Sequence, residues 1–301
     1  MNKKITGYLC LVFICLVWGT TYLFTRIAVV SFPAFLFAGI RNVSAGVILL
    51  MLLAFSKHKF PWTWSSIRPN LISGMLIVGL GTGLVTWAVK YIPSGLAALI
   101  CTLTPLNIIV LSLLMGKNNK LNTHIRIGVV CGMLGMGFIF RDHLIELTNP
   151  HYALGAFITL LATISWSAGT LYSRAKTSGT NSFYNAAFQL LAGGVLSLSI
   201  GTFRGEWSHM GVISNESLLA LAYLTLIGSA AAFAAYQYAL STLPVGLVAT
   251  YAYINPLIAV ILGYLVLSEK LTLLTCIAFA LTIFGVYWVN KGYAIKKLPV
   301  T

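Results

Sequence analysis

The chain has 301 residues, 58% of them apolar and only 8% charged, where a soluble domain carries about 25% charged residues. That balance excludes a water-soluble globular fold and predicts an all-α integral membrane protein. A formal net charge of +14 raises nucleic acid as a partner, but the order of the basic residues along the chain removes it.

Runs of roughly 17 to 24 mostly apolar residues, each able to cross about 30 Å of hydrocarbon as a helix, recur throughout. Ten spans are predicted: Thr6 to Val29, Pro33 to Phe55, Pro69 to Lys90, Ser94 to Met115, Thr123 to Phe140, Tyr152 to Leu171, Phe183 to Phe203, Leu218 to Leu240, Pro244 to Leu267 and Thr272 to Val289. The first outruns the apolar core of a secretory signal and lacks a small-residue cleavage pattern, so it is read as a span. Connectors are short, and no attached soluble domain is expected. With the N-terminus inside, alternation through ten spans puts most of the basic residues on the cytoplasmic face. All five acids, Asp142, Glu146, Glu206, Glu216 and Glu269, then fall opposite. This is the positive-inside bias. It predicts a multi-pass protein of the cell (inner) membrane with both termini cytoplasmic, in contact with the lipid bilayer and a small-molecule substrate, and with no nucleic acid.

The chain also repeats itself. "WGTTYLFTR" (Trp18 to Arg26) aligns without gaps on "WSAGTLYSR" (Trp166 to Arg174), and the register pairs Phe35 with Phe183, Ala38 with Ala186 and Gly46 with Gly194. "PSGLAALICTLTP" (Pro93 to Pro105) returns as "PVGLVATYAYINP" (Pro244 to Pro256), and "LNTHIRIGVVCGMLG" as "LTLLTCIAFALTIFG". Two five-helix units follow, residues 1–146 and 147–301. Five is odd, so the second enters the membrane from the opposite face, giving the inverted-topology repeat of secondary transporters. Small-residue clusters such as "GLGTG", "AGG" and "GSAAAFAA" predict close helix packing. For Gly128 and Gly132 both packing within the molecule and a dimer contact are open, so a monomer or weak homodimer is expected.

In this layout the chain resembles the EamA-type permeases of the drug/metabolite transporter superfamily over essentially its whole length. The likeness is carried by the 5+5 plan, "WGTTYLFTR", "LFAGIRNVSAGVILL", the paired P-x-G-L segments and "LSEKLT" after the ninth span. It implies efflux of a small organic metabolite, an amino acid or similar solute, through a central cavity lined by helices other than the fifth and tenth. One departure stands out: the family's Gly-Glu pair after the fourth span is here "GKNNKLN", with Lys117 and no acid.

Polar and aromatic groups deep in the spans supply the candidate substrate site. Trp18 and Trp166 each lie about halfway across at 1.5 Å per residue, as cavity lining or as buried packing. Arg41 stands about eight residues, about 12 Å, into its span, where a charge faces a cavity or a partner. A substrate carboxylate or phosphate could be its counter-ion; the alternatives are snorkelling or bonds to the carbonyls of a broken helix. Its repeat partner is the neutral Gln189. Pro105 and Pro256 are intramembrane prolines, each freeing the carbonyl four residues earlier and predicting a kink. Asn107 and Asn255 beside them support the kinks or meet substrate. Tyr22, Trp87 and Tyr253 complete the expected lining.

No Asp, Glu or His lies mid-span, and proton relays usually need one. Glu269 at the end of the ninth… span is the possible coupling group, and facilitated transport, exchange or coupling through Glu269 is expected over a buried relay. The histidines fall in loops or at helix ends, the five cysteines stand singly, and there is no P-loop, HExxH or GxSxG. No enzyme, metal or cofactor is expected. The rival to a transporter is a pore-forming channel or facilitator, although no filter-like repeat or ring of like charge is present.

Overall fold

A computed structural model describes residues 3–55, 61–115, 122–142, 145–177, 180–268 and 272–295. Glu269, Lys117, His58 and His143 lie outside the described residues. Among the described residues the chain is helical throughout, and we number its long helices in order. They are α1 (Lys3–Ala28), α2 (Ala34–Ala54), α3 (Trp64–Ala88), α4 (Ser94–Ser112), α5 (Thr123–Asp142), α6 (Pro150–Lys176), α7 (Ser182–Phe203), α8 (Asn215–Thr242), α9 (Val245–Leu267) and α10 (Leu273–Ile295). Eight of them are long and apolar enough to cross a membrane; α5 and α10 contribute the shorter apolar stretches Thr123–Gly135 and Cys276–Gly285.

Local chemistry sets the helix starts. Pro33, Pro93 and Pro244 stand at the N-caps of α2, α4 and α9, where a missing N–H costs nothing. Asn149 accepts from the His151 and Tyr152 amides at the start of α6, and Asn181 from the Phe183 and Tyr184 amides at the start of α7. α2 has no side-chain cap of its own. Glu206, in the short 3₁₀ turn Glu206–His209 after α7, fills that role by accepting from the Phe35 and Leu36 amides at 3.0 Å each. An acid there also opposes the positive end of the helix dipole.

Packing in one half of the chain recurs in the other. α1 packs on α8 and α9, and α6 packs on α3 and α4; α2 faces α7, and α5 faces α10. At the α2–α7 crossing a Cβ on Gly46 would fall 3.0 Å from the Ala187 carbonyl oxygen, and one on Gly194 would fall 2.7 Å from the Val43 nitrogen. Repeat-related glycines thus let these two backbones touch. A Cβ on Gly285 would fall 2.7 Å from the Gly128 carbonyl oxygen and 3.1 Å from the Gly132 nitrogen, so these small residues serve packing between α5 and α10 inside the molecule. The arginines that end the paired "W…R" motifs act alike. Arg26 donates to the Val89 carbonyl at the end of α3 and Arg174 to the Leu240 carbonyl in the last turns of α8, satisfying acceptors that a helix C-terminus leaves open.

Two irregularities shape the centre. α3 and α8 each contain a π-helical stretch, Met75–Thr82 and Leu224–Ala231, at corresponding places in the halves; such wide turns often mark functional sites. α4 and α9 are each broken. In α4 the chain passes from Ser94–Ile100 through a 3₁₀ turn, Cys101–Leu103, into Thr104–Leu114. Pro105 cannot donate to Cys101, and the Thr104 hydroxyl donates to that carbonyl instead, at 2.8 Å. In α9 a break in the helix falls before Pro256. Pro256 sits inside the continuous piece Tyr251–Leu267, while the break falls earlier, at Ala249 and Thr250. There the Ala252 and Tyr253 amides bond three residues back, to Ala249 and Thr250, and the Thr250 hydroxyl donates to the Leu247 carbonyl at 2.8 Å.

Candidate functional site

A cavity of about 100 Å³ lies where the two halves meet. Its wall is drawn from eight helices, α1 to α4 and α6 to α9, and includes none of the α5 or α10 residues. The π-helical stretches and the broken helices converge on it. Val78, Gly81 and Thr82 come from the first π stretch, Gly228 and Ser229 from the second, Cys101 and Thr104 from the α4 turn, and Tyr251 and Asn255 from α9 just past its break.

One end of the cavity holds Arg41, 5% exposed. Its Nε donates to Ser229 Oγ at 2.8 Å, Ser229 Oγ donates to Asn42 Oδ1 at 2.9 Å, and Asn42 Nδ2 donates to the Ala38 carbonyl at 2.8 Å. This chain fixes the guanidinium through its Nε edge. The snorkelling and carbonyl-bonding readings do not describe it: Arg41 is buried, and its partner in the π stretch is a hydroxyl. Among the described residues Nη1 and Nη2 make no hydrogen bond or ion pair, and Nη2 lies 3.4 Å from where a Cβ on Gly228 would stand.

Rings form a floor to another part of the wall. Trp18 meets Tyr251 at 4.8 Å between centroids, Tyr236 at 5.2 Å and Trp166 edge-on at 5.5 Å; Trp166 meets Tyr236 at 5.9 Å. Edge-to-face contacts of this kind add about 0.5 to 1.5 kcal/mol each beyond area burial. Trp18 Nε1 donates to the Gly228 carbonyl at 3.0 Å. Trp166 Nε1 is buried with no acceptor at hydrogen-bond geometry, although the Tyr236 and Tyr251 hydroxyls lie beside it. The Tyr236 hydroxyl is paired with Thr170 at 2.7 Å.

Beside this floor lies an uncharged network centred on Gln189. Gln189 Nε2 donates to Asn70 Oδ1 at 2.9 Å and to Ser173 Oγ at 3.1 Å, and Gln237 Nε2 donates to Gln189 Oε1 at 2.6 Å. Asn70 Nδ2 donates in turn to Asn185 Oδ1 at 3.1 Å. All five side chains are buried. They tie α3, α6, α7 and α8 together where the first half has Arg41.

Of the residues expected from sequence, Trp18, Tyr22, Arg41, Trp166 and Asn255 line the cavity. Asn255 faces the Tyr251 and Cys15 carbonyls, and its amide nitrogen, oriented toward them, donates to both at 2.9 Å; it therefore stitches α9 to α1. Asn107 is not in the wall but donates to Thr163 Oγ1, which is, at 2.9 Å. Trp87 and Tyr253 are corrections. Trp87 turns away to pack on Tyr91 at 5.1 Å and on Phe35 at 6.4 Å, under the Arg204 guanidinium at 5.3 Å. Tyr253 is buried but outside the wall. Adjacent helix positions point about 100° apart, and the wall takes Tyr251 and Asn255, one turn apart, leaving Tyr253 on another face. The threonines at 21, 25, 82, 86, 104 and 163, together with Ser229, are lining residues that sequence reasoning passed over. A polar residue recurring at helical spacing in α1, Thr21 to Thr25, is the signal that could have found them.

An all-helical arrangement of the described residues, with eight helices long and apolar enough to cross a membrane around a polar and aromatic cavity, is consistent with a membrane transporter. The model of the EamA-like transporter family matches the chain twice, over residues 5–141 and 153–291, and the chain belongs to that family. YedA of Escherichia coli strain K12, an uncharacterized inner membrane transporter, is 33% identical over 291 residues, covering 95% of this chain and 91% of its own. The uncharacterized transporter YoaV of Bacillus subtilis strain 168 is 23% identical over 291 residues, covering 95% and 97%. A solved crystal structure with 18% sequence identity shares the fold over 99% of both chains, with a TM-score of 0.72.

Proposed function

We propose that this membrane transporter is a secondary carrier that moves a small organic metabolite, an amino acid or a solute of similar size, across the inner membrane by alternating access. The observation that carries the reading is a cavity walled by eight helices from both halves, with α5 and α10 left out of it. In this reading the ten helices are ten spans, residues 1–146 and 147–301 are inverted repeats, and both termini are cytoplasmic. The matched packing of α1 with α8 and α6 with α3, and the matched π stretches, support it. Rocking one half against the other would then exchange two related arrangements around a shared site. In the present conformation the aromatic floor and the Gln189 network close one side, and the cavity occupies the Arg41 side. With the N-terminus inside, the closed side is cytoplasmic, and efflux requires that network to part.

Purified protein in liposomes loaded with unlabelled metabolite should take up labelled metabolite by counterflow and saturate. Flux that neither saturates nor shows counterflow would identify a channel or facilitator instead.

A further inference from the structure

The Proposed function leaves the substrate's chemistry open; the following rests on that reading and narrows it. Arg41 is a permanently charged group held at 5% exposure in the cavity wall. No acidic residue is in that wall. Of the described acids, Glu206 is engaged with the α2 amides, and Asp142, Glu146 and Glu216 lie at the ends of α5, in a short turn before α6 and in the first turn of α8. An unpaired buried cation is costly, and a membrane interior makes it more so. The Ser229–Asn42 relay holds the Nε edge, and the two terminal nitrogens at the other end are left with no protein acceptor. That end is the fork which receives the two oxygens of a carboxylate in parallel.

We infer that the transported solute is a small monocarboxylate with an apolar or aromatic body, its carboxylate received end-on by Arg41 Nη1 and Nη2 and its body against the Trp18, Trp166 and Tyr251 rings. A carboxylate fits better than a phosphate because Arg41 is the one Lys or Arg in the wall, and a dianion would remain half neutralised. An ammonium group is not required, because the wall offers no carboxylate to receive it.

The test uses matched probes on the full chain in detergent, with affinity read from the change in tryptophan fluorescence and from the thermal unfolding midpoint. One set is 3-phenylpropionate, phenylalanine and phenethylamine; the aliphatic set is 4-methylpentanoate, leucine and isopentylamine; phenyl phosphate is added to the first. The expected result is that at least one carboxylate binds, its amine counterpart does not, and phenyl phosphate is weaker. Both Arg41→Gln and Arg41→Lys should raise the carboxylate Kd by about tenfold or more, the usual worth of a hydrogen bond to a charged group; Lys keeps the charge but loses the fork. Trp87→Phe, outside the wall, should leave it unchanged. Amines binding as well as acids, no binding by any acid, a tighter phosphate, or an Arg41→Gln affinity equal to wild type would each overturn the inference. Counterflow separates the two claims. Acid binding through Arg41 without counterflow leaves this inference standing and sinks the carrier reading; saturable counterflow of an amine, indifferent to Arg41→Gln, does the reverse.

Discussion

Arg41 and Gln189 occupy corresponding positions in the two halves, on helices that cross each other at Gly46 and Gly194. One is a buried cation with two open donors beside a cavity. The other is a buried amide whose oxygen and nitrogen are both bonded, in a network where four neighbouring helices interlock. Full satisfaction makes a buried polar cluster rigid, whereas partial satisfaction stores a demand for a ligand. The difference teaches that matched positions of the two similar segments carry different chemistry, and in the proposed carrier one holds a side shut while the other receives a solute.

The strongest way to break this comparison is to exchange the two side chains. Gln189→Arg puts a second guanidinium among Asn70, Ser173 and Gln237, none of which bears a charge, and a cation within a span costs about 3 kcal/mol. Its thermal midpoint in detergent should fall steeply. Arg41→Gln goes the other way: it removes an unpaired buried charge, and Ser229 and Asn42 keep each other. Its midpoint should hold or rise while carboxylate binding is lost, the usual trade between stability and a functional site. Equal destabilisation by both changes would show that Arg41 is a structural group.

The closed side can be loosened more gently. Gln237→Leu leaves Gln189 Oε1 without its 2.6 Å donor, a loss of about 1 to 2 kcal/mol in a membrane interior. In the proposed carrier that bond belongs to the closed arrangement, so the variant should also favour opening. Counterflow should quicken relative to wild type, and a cysteine at Ser173, which is fully buried in the closed form, should react faster with a maleimide in the Gln237→Leu background. Unchanged labelling would mean that the network is packing and does not gate.

Glu206→Ala tests a link between the halves away from the cavity. It strips α2 of the carboxylate that holds its first amides, and losing such a cap costs about 1 kcal/mol. Glu206→Gln, which keeps an acceptor but drops the charge, should cost less. The midpoint in detergent reads both.

Much of this could be seen in the chain alone, and what could not has physical causes. Two copies of "W…R" brought Trp18 and Trp166 to one level, and depth alone made Arg41 conspicuous, because position along a span follows directly from rise per residue. Rotation about the span does not. A helix that is apolar all round gives no face, so Trp87 and Tyr253 were expected in a wall they do not join. Asn70, Asn185 and Gln237 looked unrelated because the network joins them across four helices. The π turns in α3 and α8 had no signal, since their small residues read equally well as close packing. Glu206 was expected only as an outward-facing acid; its partners at Phe35 and Leu36 are about 170 residues away in the chain.

The smallest effect is also the most discriminating, because it compares two identical side chains in matched positions. Trp18 and Trp166 are related by the repeat and touch edge to face at 5.5 Å, yet only Trp18 meets an acceptor at hydrogen-bond geometry, the Gly228 carbonyl in the π stretch of α8. Phe keeps most of the ring at either position and removes only the N–H. Trp18→Phe removes the buried bond to the Gly228 carbonyl and should cost about 1 kcal/mol. Trp166→Phe deletes a donor that meets the neighbouring Tyr236 and Tyr251 hydroxyls without hydrogen-bond geometry, so its midpoint should move less. With saturating 3-phenylpropionate present, the order should narrow: wild type gains a partner for the Trp166 N–H that the Trp166→Phe protein cannot offer, so ligand should raise the wild-type midpoint more than that of Trp166→Phe. Equal ligand-induced shifts in the two proteins would remove Trp166 from the recognition of the carboxylate and leave that task to Arg41.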